Sequence, residues 1–366
     1  MKVGTITFHQ ALNYGAVLQA YALQRAIEDL GHDCEVIDYR CDRLSQGYAV
    51  LPPLSRGLRG VVSGITHAPG KLAKHARFNQ FRTRHMRISP ERYDRATIGE
   101  AEARYDCFVV GSDQVWNPML TEGDDTYFLG FCGDPLKKVA YAPSLGRSHN
   151  LSLFEDLYER YLPSFRALSV RESDGSQYLS SLLRRDVPWV VDPVFLLSAD
   201  EWGTVASKPD IDEPYIFAYC LHETSLYRHA EHLSEATGMR LVYVPESLRT
   251  RADGRRVTNL RVEEFLGWIQ GAECVITDSF HALAFGLIFH REFRAQLKRR
   301  FPELNSRLTS LIDCVGLGER VLHPGGEIVD VLPRVDYCEV DRRLGPMVER
   351  SRVYLRAALD ARASWS

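Results

Sequence analysis

Little in this 366-residue sequence points to a membrane span, a secretory route or a nucleic-acid partner. No apolar stretch approaches the roughly 18 residues that a bilayer-spanning helix needs. The chain opens on "MKVGTITFH", a strand pattern, where a secretory leader would show a charged segment and then an apolar one. The net charge is −3, so no excess of cations draws the whole chain to nucleic acid. Eight cysteines are present, yet no CxxC pair and no close histidine partner, so no metal site is expected. Cys107, Cys220 and Cys274 sit in apolar strand-like runs, where a reduced core thiol is the simplest reading. A cytoplasmic location in a reducing compartment is expected. A 20–50-residue repeat, a low-complexity tail and a GxGxxG fingerprint are also missing, the last leaving a dinucleotide site without support.

What remains is the composition of an ordinary globular protein, 45% apolar and 25% charged. Its length exceeds the size at which one hydrophobic core usually stops growing, so two domains are expected. The first segments alternate: a strand over 2–8, the loop "HQALNYGA", a helix through "AVLQAYALQRAIEDLG" and a strand "CEVIDYR". Leu18, Ala22, Leu23, Ala26, Ile27 and Leu30 follow the three-four spacing of one buried helix face, and Gly31 stands where the helix should stop. Such a βαβ unit predicts a parallel sheet with ligands at the carboxyl ends of its strands. The pattern restarts beyond residue 166 with "VPWVVDPVFLL", "PYIFAYCL", "MRLVYVP" and "GAECVITDS". An α/β protein is predicted, with two Rossmann-like domains facing a central cleft in a GT-B-like arrangement: domains over 1–165 and 166–340, then a C-terminal helix over 341–366.

Three motifs concentrate polar groups where strands end. The loop "NYGA" places Asn13, Tyr14 and Gly15 between strand and helix, where backbone N–H groups can meet an anion. "YDCFVVGSDQVWNP" ends an apolar strand in Ser112, Asp113, Gln114, Trp116 and Asn117, polar edges beside a ring of the kind that sugars stack on. The strand "KKVAYAPSLG" finishes similarly at Ser144. The third motif, "VITDSFHALAFGLIFH" at 275–290, sets Asp278, Ser279 and His281 between two apolar runs. Asp278 or Ser279 is suited to cap the following helix. Capping does not explain His281, whose place in the first helical turn favours the neutral imidazole and suits a proton carrier.

Residues 43–90 contain nine Lys or Arg and no acid. Either a solvated helix face or a surface meeting phosphate groups or an anionic membrane would explain this, the cations at stake being Lys71, Lys74, Arg77, Arg82, Arg84 and Arg87.

Taken together and in order, "TFHQALNYGAVLQAYAL", "VVGSDQVWNP", "KKVAYAPSLG", "LSVRESDG", "VVDPVFLL", "VITDSFHALAFGLIF" and "NSRLTSLI" resemble the polysaccharide pyruvyl transferase family over residues 2–320. The resemblance implies a GT-B-like fold, an acceptor-side first domain and a donor-side second one. It also implies transfer of pyruvate from phosphoenolpyruvate to two hydroxyls of a sugar, as a cyclic ketal, with release of phosphate. Phosphoenolpyruvate is then a substrate, and no cofactor is expected. The acceptor would be a sugar of a surface-polysaccharide or cell-wall glycan precursor, whether a nucleotide sugar, a lipid-diphosphate-linked oligosaccharide or a finished polymer.

The family's catalytic histidine falls on His281 and the arginine of its Ser-Val-Arg block on Arg171. In one branch an arginine stands two residues before the histidine, and Ser279 replaces it here, so another cation is needed. Arg307 of "NSR" is the candidate, with Ser306 beside it as a further substrate-binding residue. A carboxylate and a phosphate on the donor call for two cationic clamps, for which Arg171 and Arg307 are suited, with Asp278 or Asp113 orienting His281 or assisting as base. Two other functions fit the same architecture: a nucleotide-sugar glycosyltransferase, and a non-catalytic carbohydrate-binding component of a polymer assembly complex.

Overall fold

A computed structural model describes residues 1–47, 57–146, 148–222, 224–245, 250–298, 305–322 and 333–360. Arg56 of the basic stretch lies outside them, as do the side chain of Arg59 and residues 361–366. The chain divides into two compact units, residues 1–196 joined by the C-terminal residues from Val348, and residues 197–347.

The first unit is built on the parallel strands β1 (Lys2–Ile6), β2 (Asp33–Tyr39), β3 (Ile88–Tyr93), β4 (Cys107–Val110) and β5 (Lys138–Ala140), in the order β3-β2-β1-β4-β5. Between β1 and β2 runs α1 (Tyr14–Asp29), with Leu18, Ala22, Leu23 and Ile27 buried as the spacing predicts. Asn13 caps it, its side-chain oxygen accepting from the Ala16 N–H at 3.3 Å, and Gly31 supplies the left-handed turn beyond it at φ +84°. After β2 come α2 (Asp42–Gly47) and the long α3 (Gly57–His85), then α4 (Pro118–Thr121), α5 (Glu155–Tyr161) and α6 (Ser173–Leu183).

The second unit opens with α7 (Ala199–Val205) and carries the parallel strands β6 (Tyr215–Tyr219), β7 (Arg240–Val244), β8 (Arg255–Arg256), β9 (Cys274–Thr277), β10 (Glu292–Gln296) and β11 (Val321–Leu322). Their order is β11-β10-β9-β6-β7-β8. Its helices are α8 (Leu226–Thr237), α9 (Val262–Gln270), α10 (Phe280–Ile288) and α11 (Ser306–Val315). Every residue of β4, β6 and β9 is buried, which is why these strands read as unbroken apolar runs: helices cover both faces of a parallel sheet.

The division falls at 196/197, so the expected boundary at 165/166 lies inside the first unit. Residues 166–196 stay with the first sheet because their backbone extends it: Ala167 bridges to Val139, the Ala140 N–H donates to the Ala167 carbonyl at 3.0 Å, and Val170 bridges to Trp189. The last helix, α12 (Tyr337–Asp360), starts before residue 341 and belongs to both units. Its second half returns to the first, where the Val191 N–H donates to Ser351 Oγ and the Tyr354 hydroxyl donates to the Ala140 carbonyl.

Candidate functional site

In the second unit, the turn between β9 and α10 holds the predicted Asp278, Ser279 and His281. Ser279 is the helix cap, its hydroxyl accepting from the Ala282 N–H at 3.5 Å. Asp278 reaches across to the neighbouring strand. Its two oxygens accept from the backbone N–H groups of Leu221, at 2.7 Å, and His222, at 2.8 Å, tying the end of β9 to the end of β6. With both oxygens so engaged it braces the strand ends. His281 stands in the first turn of α10, 7% exposed, its ring edge-on to Phe280 at 5.2 Å.

A neighbouring strand adds cations to this edge. β10 lies parallel to β9, and Lys298 follows it by two residues with its side chain buried. The Lys298 N–H donates to the Asn305 side-chain oxygen at 2.8 Å, and the Asn305 amide donates back to the Lys298 carbonyl at 3.0 Å. That reciprocal pair pins the start of α11, with Ser306 and the half-buried Arg307 in its first turn, to the carboxyl end of β10. α11 also packs on α10. The carboxyl edge of β6, β9 and β10 therefore collects an imidazole, an ammonium and a guanidinium. Sequence reasoning missed Lys298, because nothing local marks a lysine as buried.

In the first unit the equivalent strand end is at Ser112, just past β4. Its hydroxyl donates to Asp192 at 2.9 Å and accepts from Arg171 at 3.2 Å, while Arg171 pairs with Asp192 at 2.6 Å and Glu172 at 3.2 Å. The Arg171 and Asp192 side chains are 2% and 0% exposed. Burial works to lower the Arg171 pKa, but Glu172 and Asp192 outweigh it and raise it. Asp113 takes a left-handed backbone at φ 70°. Its carboxylate accepts from the Gln114 N–H, and its carbonyl accepts from the N–H groups of Val115 and Ser144. Asn117 caps α4 and donates to the Gln114 side chain. Ser144 is buried, its hydroxyl accepting from the Gly146 N–H. Tyr14 is buried against Phe78 of α3, and Gly15 follows it in the first turn of α1.

Trp116 is not a ring open to a sugar. It is 0% exposed, stacked on Phe128 at 5.9 Å, edge-on to Phe165, and its indole N–H donates to the Tyr127 carbonyl at 2.8 Å. A large ring whose one polar atom is satisfied by backbone belongs to the core. Nor does the basic stretch present one solvated face: Arg82 is buried, Arg87 pairs with Asp33 at 2.7 Å and Arg43 with Glu122 at 3.2 Å. Among the described residues no helix is long and apolar enough to cross a membrane.

Comparison with known proteins adds the decisive observation: the family model described as "Polysaccharide pyruvyl transferase" matches residues 13–295. The chain belongs to the polysaccharide pyruvyl transferase family. No curated protein matches it. Among solved structures, a Listeria monocytogenes protein assigned as a UDP-N-acetylglucosamine 2-epimerase superposes with a TM-score of 0.51 at 11% identity, covering 98% of this chain and 90% of that one. A UDP-GlcNAc 2-epimerase from Neisseria meningitidis gives 0.48 at 10% identity, over 98% and 94%. The ADP-heptose heptosyltransferase II of E. coli gives 0.37 at 11% identity, over 96% and 99%. Together with the two parallel sheets, the first of these shows the α/β, GT-B-like fold.

In this polysaccharide pyruvyl transferase the geometry bears directly on the role of Arg171. Its Nε meets Glu172 and its Nη1 meets Asp192 and the Ser112 hydroxyl, all within its own unit. Arg171 thereby organises Ser112.

Proposed function

We propose that this protein transfers the pyruvyl unit of phosphoenolpyruvate to two hydroxyls of a sugar in a surface-polysaccharide or cell-wall glycan precursor. The observation that carries the reading is His281, buried in the first turn of α10 beside an edge furnished with Lys298 and Arg307, in a chain of this family. In the reaction one hydroxyl oxygen bonds to C2 of the donor as its methylene carbon takes a proton and becomes methyl. A second hydroxyl oxygen then replaces the phosphate at C2, closing the ketal. Of the two protons the sugar loses, one ends on the methyl and one leaves with the phosphate. His281 moves the proton. Lys298 and Arg307 bind the donor's anionic groups, the cation that Ser279 cannot supply.

The test is mass spectrometry of candidate acceptors incubated with the protein and phosphoenolpyruvate, with sugar nucleotides as alternative donors. A gain of one pyruvyl ketal that needs phosphoenolpyruvate supports the reading. Glycosyl transfer from the sugar nucleotides alone would replace it with the glycosyltransferase.

A further inference from the structure

The first unit holds a cavity of about 500 Å³ that neither strand-end motif accounts for. It opens beyond the carboxyl ends of β1 and β2, and α3 forms its other wall. Its volume lies in the range of small-molecule sites, and its place in the sheet is where ligands of parallel α/β units bind. Phe8, Tyr39 and Tyr127 form an aromatic lining, while Arg40, Arg82 and the 55%-exposed Leu72 come from the other walls.

The charge in this cavity is unbalanced. Arg82 is 5% exposed and donates to the His9 carbonyl at 3.3 Å, but among the described residues it pairs with no carboxylate. The nearby acid, Asp38, is divided between His9, Arg40 and Arg92 at 3.3–3.6 Å. Burial would raise the Asp38 pKa, yet these neighbours hold it well below the usual carboxylate range, so its charge is already committed. Burial, with Arg40 close by, pushes Arg82 down to about 10. A buried guanidinium whose nearby carboxylate, Asp38, is shared with His9, Arg40 and Arg92 leaves the balance to be completed by an anion.

We propose that this cavity binds the acceptor, recognising a sugar diphosphate ester by its phosphates at Arg40 and Arg82 and by its ring against Phe8, Tyr39 and Tyr127. The basic stretch of the sequence thus contributes one inward cation to a binding site. The role as acceptor rests on the pyruvyl-transfer reading; the binding does not, so it is tested without turnover.

Calorimetric titration of the full chain uses inorganic pyrophosphate as probe, with UDP-glucose, a short prenyl-diphosphate sugar in detergent, and phosphoenolpyruvate as competitors. Pyrophosphate should bind, and at least one of the two sugar diphosphates should displace it; which of them does so distinguishes a nucleotide from a lipid carrier. Arg82→Gln should weaken binding roughly 100-fold and Arg40→Gln roughly tenfold, the scale of charged hydrogen bonds. Because Arg82→Gln disturbs a buried position, Leu72→Glu serves as a second variant, setting an anion on an exposed wall and weakening binding with unchanged thermal unfolding. Failure of pyrophosphate to bind, wild-type affinity in both Arg40→Gln and Leu72→Glu, or displacement by neither sugar diphosphate would overturn the proposal. So would displacement by phosphoenolpyruvate, which would make the cavity the donor's.

Discussion

The strand end at Ser112 and the strand end at Asp278 occupy the same topological position, each just past a fully buried strand of a parallel sheet. In the first unit the acid at that end, Asp192, is matched with Arg171, 2.6 Å away and almost wholly inaccessible. In the second, the acid is matched with two backbone amides, and the imidazole of His281 follows in the first helical turn. Charge that is closed upon itself builds a unit. Where the acid is satisfied by amides, the same strand edge also carries Lys298 and the first turn of α11 with Arg307. One layout thus serves structure in one unit and, on the proposed function, chemistry in the other.

The largest effect should come from opening the closed pair. Arg171→Met leaves Asp192 buried without its cation, which should cost about 3–5 kcal/mol of unfolding free energy. In a denaturant double-mutant cycle, adding Asp192→Leu should cost far less than it does alone. Additive costs would mean that the two residues act separately and would break the comparison.

Asp278→Asn should cost about 1.5–3 kcal/mol, because one of two amide hydrogen bonds to a charged acceptor is lost. Its turnover per folded molecule should fall less than that of a His281 variant. A stability loss near zero would show that the amides of Leu221 and His222 do not depend on the carboxylate. Ser279→Ala removes only a long cap bond and should cost about 0.5–1 kcal/mol, read as a small drop in melting temperature. A loss as large as that of Arg171→Met would give Ser279 a role beyond capping.

What could be read in the sequence was what is local. The α1 face, its stop at Gly31 and the polar turn before α10 depend on residues within a few positions of one another, and the structure reproduces each. The partner of Arg171 lies 21 positions away, and whether a guanidinium meets acid or solvent is decided by the fold. Trp116 illustrates the same limit: beside Ser112 and Asp113 its ring has the composition of a sugar platform, yet Phe128 and Phe165 enclose it. The unit boundary was missed because the segment that moves it, 166–196, joins the first sheet through isolated bridges too short to leave an alternating pattern. Arg82 was visible only as one charge among nine; that it faces inward requires the helix to be laid on its sheet.

The most direct measurement compares wild type with His281→Gln in two readouts on the same preparation, ketal formation from phosphoenolpyruvate and cooperative thermal unfolding. A proton carrier acts in the transition state, so turnover should fall by about 10²–10⁴-fold while the unfolding transition is retained. Near-wild-type turnover in the folded variant would contradict the assignment of chemistry to this strand end.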